Sequence, residues 1–309
     1  MQSDTKKRVG ILRGGTGGYY KSSLQRGGDV IAHILEKLGD KYKPIDILID
    51  KDYLWHVNGL PVVASDLMHQ VDVVWNLTHP SFSNILTSLS IPNIGTSSFA
   101  SSLENSRDML REHIKKINLL MPRSIVLPVY QEDFDGPLDK YAIKKAKEVF
   151  NKFSSPWIVK SFTPDESMGI HLTQTFGELA QAIQDGVNHN KSILIEEFIS
   201  GKPAAVHSIL GFRGENVYVL LPENSSIEQA GFTTTEKEKI ITLAKDLHQH
   251  LNAKNYLKTD FILHPRRGFF ITNIEFIPDL RMGSHLEKSC ESIGAQMHNV
   301  VEHILEGAI

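Results

Sequence analysis

An apolar tetrad, Val9-Gly10-Ile11-Leu12, runs directly into Gly14-Gly15-Thr16-Gly17-Gly18. Beyond the glycines, Val30, Ile31, Ile34, Leu35 and Leu38 recur at helical spacing, which predicts strand, turn and amphipathic helix in that order. Residues 45–49 and 71–75 read as further strands. Between them Asn58-Gly59, with apolar flanks on both sides, is a hairpin turn signal. The first 96 residues therefore predict an open, mostly parallel α/β unit.

The patterning then changes. Residues 98–116 predict one helix, Pro122 leads into a strand over 123–126, and a charged helix is expected over 139–153. Strands follow at 157–160 and 170–172, a helix at 176–187, and strands at 193–198, 206–212 and 217–221. Thr235-x-x-Glu238 has the form of a capping box that opens a helix to Leu251. Two strands, 258–262 and 270–276, are joined through Arg266-Arg267-Gly268, and a last helix is expected over about 284–305. The order is thus α/β and then α+β.

Composition narrows the function classes. The 309 residues suffice to bury roughly three quarters of the unfolded surface. Lys plus Arg is 33 and Asp plus Glu is 36, so no basic excess points to nucleic acid or to an anionic membrane as partner. Cys290 is the single cysteine, which removes internal disulfides and cysteine-based zinc sites. No apolar run has the length of a membrane helix and the start lacks a signal-peptide core, so a soluble cytoplasmic protein is the expectation.

The carboxylates within the last two strands carry the most chemistry. Asp260 and Glu275 each sit inside an apolar run, where an acid is costly unless something cationic meets it. Two such acids on adjacent strands fit a divalent-metal site, with Mg²⁺ the hard-cation candidate; a Lys258–Glu275 ion pair is the structural alternative. Two residues beyond Glu275, where the same strand face would offer another oxygen, stands Ile277. The glycine loop is either a phosphate cradle or a tight turn, since it has neither a dinucleotide-binding nor a P-loop spacing. Lys160, at the end of Pro156-Trp157-Ile158-Val159, is a phosphate contact or a solvated strand end. Glu196 and Glu197, with Phe198-Ile199 behind them, are a base-binding strand end or ordinary exposed acids. The histidines include no helical i, i+4 pair for a metal, and no serine-nucleophile elbow is present.

Taken in order, Val9-Gly10-Ile11-Leu12-Arg13-Gly14-Gly15-Thr16, Ile94-Gly95-Thr96-Ser97-Ser98, Pro156-Trp157-Ile158-Val159-Lys160, Leu194-Ile195-Glu196-Glu197-Phe198-Ile199-Ser200-Gly201 and the two carboxylate strands resemble the D-alanine–D-alanine ligases of the ATP-grasp superfamily, nearly end to end. The resemblance implies an ATP-grasp fold: an N-terminal α/β domain over 1–97, a central subdomain over 98–190 and a C-terminal subdomain over 191–309. It implies ATP-driven amide formation through an acyl phosphate, with ATP and Mg²⁺, small amino-acid-like substrates, a homodimer, and a place in peptidoglycan precursor synthesis. By the match, Lys160 and Arg107 would meet ATP phosphates, and Glu196, Glu197, Phe198 and Ile199 would meet the adenine. Asp260 and Glu275 would hold Mg²⁺, while Lys258 would stand where the family uses an arginine at the reacting centre. Lys21 and Ser167 complete the catalytic set; Gly14, Gly15, Arg281 and Met282 are the expected substrate contacts.

The departures cluster in the same places. Ile277 replaces a ligating Asn, Pro203 the ribose-binding acid, and Lys21 an acid that receives an ammonium group. Asp165 and Glu166 bring negative charge to the turn after Lys160, Arg281 replaces a small residue, and the loop over 222–234 is short. Two functions are therefore expected as alternatives: a competent ATP-dependent ligase, or a degenerate relative that serves as a nucleotide-binding or regulatory partner. A sugar- or peptide-binding α/β module is a third reading that rests on architecture alone.

Overall fold

A computed structural model describes residues 6–15, 20–162, 168–220 and 231–308. The chain forms two compact units, one from Met1–Asn118, Lys202–Phe261 and Asn273–Ile309, the other from Leu119–Gly201 and Ile262–Thr272. In the first unit, strands β1 (Lys7–Gly14), β2 (Tyr42–Ile49), β3 (Trp55–Val57), β4 (Leu60–Val62), β5 (Val73–Asn76) and β6 (Asn93–Gly95) make one sheet in the order β4-β3-β2-β1-β5-β6. The central β1 pairs in parallel with β2 and β5, β5 with β6, and the expected Asn58-Gly59 hairpin supplies the antiparallel edge. Val9, Ile11, Leu12, Ile47 and Val73 are all fully buried, as strands covered on both faces require.

Gly14 ends β1 for a steric reason. Its φ is +90°, and a Cβ there would lie 2.2 Å from the Ile49 carbonyl oxygen. The turn lets the Gly15 N–H donate to Ile49 at 2.7 Å and the Gly14 N–H donate to Ser23 Oγ at 3.0 Å, which seats helix Tyr20–Lys37 against the strand end.

The second unit is built on an antiparallel sheet of β7 (Ser124–Leu127), β8 (Trp157–Ser161), β9 (Ile170–Thr173) and β10 (Ile193–Glu197), in the order β7-β10-β8-β9. Helices Leu138–Lys152 and Phe176–Asn188 cover it, and Tyr141, Val149, Trp157, Val159, Leu179 and Ile195 form its core. The first unit's other sheet, in the order β12-β11-β13-β14, comprises β11 (Lys202–Leu210), β12 (Val217–Leu220), β13 (Tyr256–His264) and β14 (Gly268–Glu275). Its Ile209, Leu220 and Tyr256 share a core with Val9, Ile11 and Trp75 of the six-stranded sheet. The hairpin end of β13 and β14, residues 262–272, belongs to the second unit.

Three expectations about helices need correction. The helix over 98–116 is two, Ser98–Asn105 and Arg107–Lys115, because Ser106 is extended (φ −138°, ψ 103°) and its side chain caps the second through the Met109 N–H. The capping box is Thr233 with Glu236, not Thr235 with Glu238: Thr233 Oγ1 accepts from the Glu236 N–H at 3.2 Å, and Glu236 Oε2 accepts from the Thr233 N–H at 2.8 Å. The last helix is also two, His285–Ser292 and Met297–Glu306, parted at Gly294 with φ +68°.

Candidate functional site

The carboxylate strands come together as expected. On β13, Thr259 and Phe261 point into the core, so Lys258 and Asp260 share the other face; on β14, buried Ile274 leaves Asn273 and Glu275 facing them. Lys258 Nζ lies 2.9 Å from Glu275 Oε1 and 3.5 Å from Asp260 Oδ2. Asn273 Nδ2 donates to the same two oxygens, at 3.0 and 3.4 Å. Burial opposes the Lys258 charge, but the two acids outweigh it and its pKa rises. Asp260 is also pushed up, chiefly by burial and further by Glu275, because one ammonium serves two carboxylates. The Lys258–Glu275 ion pair is thus present, and it sets an ammonium between the two acids. Among the described residues no three His, Cys, Asp or Glu side chains gather to hold a metal.

In the second unit, Lys160 is no solvated strand end and Glu196 and Glu197 are not ordinary exposed acids. Lys160 Nζ pairs at 3.0 Å with Glu196 Oε2, whose side chain is only 5% exposed. Glu197 is held from both sides, by Arg123 Nε at 3.0 Å and Arg267 Nη1 at 2.6 Å. Burial raises its pKa, yet the two guanidinium groups prevail and lower it. The Glu197 and Phe198 N–H groups donate to Arg123 and Pro156 carbonyls, Phe198 is partly exposed and Ile199 is buried. Arg107 begins helix Arg107–Lys115 in the first unit and is buried. Ser167, Asp165 and Glu166 lie outside the described residues, as does most of the loop over 222–234.

A cavity of about 450 Å³ opens in the first unit, lined by Gly14, Gly15, Arg26, Tyr53, His79, Ser101, Glu104 and Ile277 among others. Gly14 and Gly15 are therefore placed in a cavity wall. Lys21 is exposed on its helix and does not line that cavity; neither do Arg281, ion-paired to Asp279 at 2.8 Å, and Met282, which is 92% exposed. Glu104 is the residue that sequence reasoning missed. Its Oε1 accepts from the Phe276 N–H at 2.8 Å, and burial pushes its pKa up to about 7 against the pull of that N–H and of Arg26. The signal was faint: one acid at the end of a Ser-rich helix. A buried chain also went unseen, in which Tyr256 Oη and His207 Nδ1 are 2.7 Å apart and His207 Nε2 and His285 Nδ1 are 2.8 Å apart.

Comparison with known proteins points to one family of enzymes. A family model described as D-ala D-ala ligase C-terminus matches residues 129–225. A D-alanine–D-alanine ligase of Anaeromyxobacter dehalogenans is 23% identical, covering 100% of this chain and 99% of its own. D-alanyl-alanine synthetase A from Vibrio cholerae shares the fold with a TM-score of 0.73 at 17% identity, over 98% of both chains. A D-alanine–D-alanine ligase from Bacillus anthracis, solved in complex with ATP, has a TM-score of 0.67 at 17% identity and covers 98% of this chain and 96% of its own.

Proposed function

We propose that this chain is a divergent relative of the D-alanine–D-alanine ligases, and that it is an ATP-dependent carboxylate–amine ligase forming an amide through an acyl phosphate. The observation that carries this reading is the Lys258 ammonium between Asp260 and Glu275, in a chain that matches its relatives end to end. The donor set there is all oxygen and already holds a cation, which fits Mg²⁺. Asp260 and Glu275 would hold the ion, which supplies neutralising charge for the phosphates.

Lys258 keeps a positive charge beside the reacting groups, as a point charge without the two-pronged grip of a guanidinium. Lys160 and Arg107 are the phosphate-binding cations of this reading, and a phosphate must compete with Glu196 for Lys160. Glu196 to Ile199 form the adenine-binding strand end. The cavity takes the first amino-acid-like substrate, with Arg26 suited to its carboxylate and Glu104 to its ammonium. That assignment answers the charge reversal at Lys21, since Glu104 supplies the acid from the cavity wall, where Lys21 has no part. Among the described residues no helix is long and apolar enough to cross a membrane, and a cytoplasmic homodimer belongs to the same reading.

Calorimetric titration with Mg-ATP, followed by ADP release with amino-acid pairs, tests the proposal. Binding in the micromolar to millimolar range and amine-dependent ADP release are expected. No binding at millimolar nucleotide would overturn it. A role as a degenerate partner is the reading that full-length relatives favour less.

A further inference from the structure

A strand offers two neighbours on one face of any residue, one two positions downstream and one two positions upstream. Downstream of Glu275 the strand has ended, and Ile277 turns to help wall the cavity. Upstream the neighbour is Asn273. We propose that Asn273 is the third oxygen ligand of the divalent cation held by Asp260 and Glu275, doing from upstream what Ile277 cannot do from downstream. The inference rests on the ligase reading for the presence of that cation.

Convergence carries it. Asn273 Nδ2 is 3.0 Å from Glu275 Oε1 and 3.4 Å from Asp260 Oδ2, and Lys258 Nζ reaches the same two oxygens at 2.9 and 3.5 Å. Amide and ammonium thus converge on the same two acid oxygens, and the ammonium must turn toward the reacting groups when a divalent ion takes those oxygens. The amide is held within a paired strand, beside buried Ile274, so its reach is fixed by the fold. An Asn side chain carries a donor and an acceptor on one carbon, and a half-turn about the broad Cβ–Cγ torsion exchanges Nδ2 for Oδ1. Toward two acids it donates; toward a cation it presents oxygen. Two carboxylates and an amide oxygen then make an oxygen-only set with two negative charges for a divalent ion.

The alternative role for Asn273 is to ease repulsion between the two acids with no part in binding. Mn²⁺ titration of the full chain in the presence of ATP, read as free Mn²⁺ by electron paramagnetic resonance, separates the two. Asn273→Leu is expected to weaken Mn²⁺ at least about tenfold, Asn273→Asp to tighten it, and Ile277→Asn to restore affinity in the Asn273→Leu background. If Asn273→Leu does not fold, the isosteric Asn273→Asp still decides, since unchanged or weaker Mn²⁺ binding overturns the proposal. A thermal midpoint lowered by Asn273→Leu with Mn²⁺ affinity unchanged overturns it too, and leaves the ligase reading intact. Mn²⁺ affinity that depends on Asn273 without ADP release from any amine supports the ligand role and removes the ligase. Wild-type protein that takes up no Mn²⁺ with millimolar ATP overturns both.

Discussion

Glu104 brings a carboxylate into a cavity wall where Arg26 and one backbone N–H face it, and burial lifts it from 4.5 to about 7. Between those values the folded chain holds a proton that the unfolded chain has released, so stability is fullest below about pH 4.5 and is lost as pH rises through about 7. The whole linkage is worth about 3 kcal/mol at most, and less where cavity water screens the group. Urea unfolding is therefore expected to give a smaller free energy at pH 8 than at pH 5, and Glu104→Gln to flatten that difference; an unchanged slope would place the titration in another group. The sequence marked this acid only faintly, because a Glu near a helix end reads as solvated and only the fold brings Phe276 to it. Asp260 and Glu275 were legible for the opposite reason, since each is flanked by apolar side chains. Asn273 sat between these cases: it is uncharged, and its value depends on which face of β14 turns toward Asp260.

At the scale of elements, the hairpin end of β13 and β14 buries Phe269, Phe270 and Ile271 and is fastened by specific polar contacts as well. Arg267 grips Glu197 of β10 and lies over the Phe270 ring at 4.5 Å, while the Ile271 N–H donates to the Leu120 carbonyl at 2.8 Å. Gly201 lets the Leu263 carbonyl approach, since a Cβ there would lie 2.3 Å from that oxygen. Arg267→Ala removes one of two guanidinium groups from a mostly buried acid, which costs about 1–3 kcal/mol. Faster hydrogen exchange of the amides in 265–272 is the expected mark, with helix Leu138–Lys152 unaffected; uniform acceleration across the chain would contradict a local role. Strands were well read from their apolar runs, but helix ends were not. Thr233-x-x-Glu236 and Thr235-x-x-Glu238 are equally good capping boxes on paper, and packing of Ile240, Ala244 and Leu247 selects the frame. Ser106 is likewise an unremarkable residue until its extended backbone divides a helix.

For the molecule as a whole, neither compact unit is one stretch of chain: three segments make the first and two the second. A linear reading offers only consecutive pieces, such as 1–97, 98–190 and 191–309, and no local pattern announces that 262–272 groups with 119–201. The order of sheets, by contrast, was readable, because alternation of strands and helices gives way to clustered strands. A fragment of residues 119–201 alone is expected to unfold at a lower denaturant concentration, and less cooperatively, than the same fragment joined by a short linker to 262–272. Equal midpoints would show that the hairpin end adds nothing to that unit. The interleaving also sets a timetable. The ribosome delivers the end of the hairpin about 70 residues after Gly201, which at about 5–20 residues per second is a delay of roughly 4–14 s. During that interval the newborn second unit has Arg123 but not Arg267 to meet Glu197, so its completion is tied to the progress of translation rather than to its own folding speed.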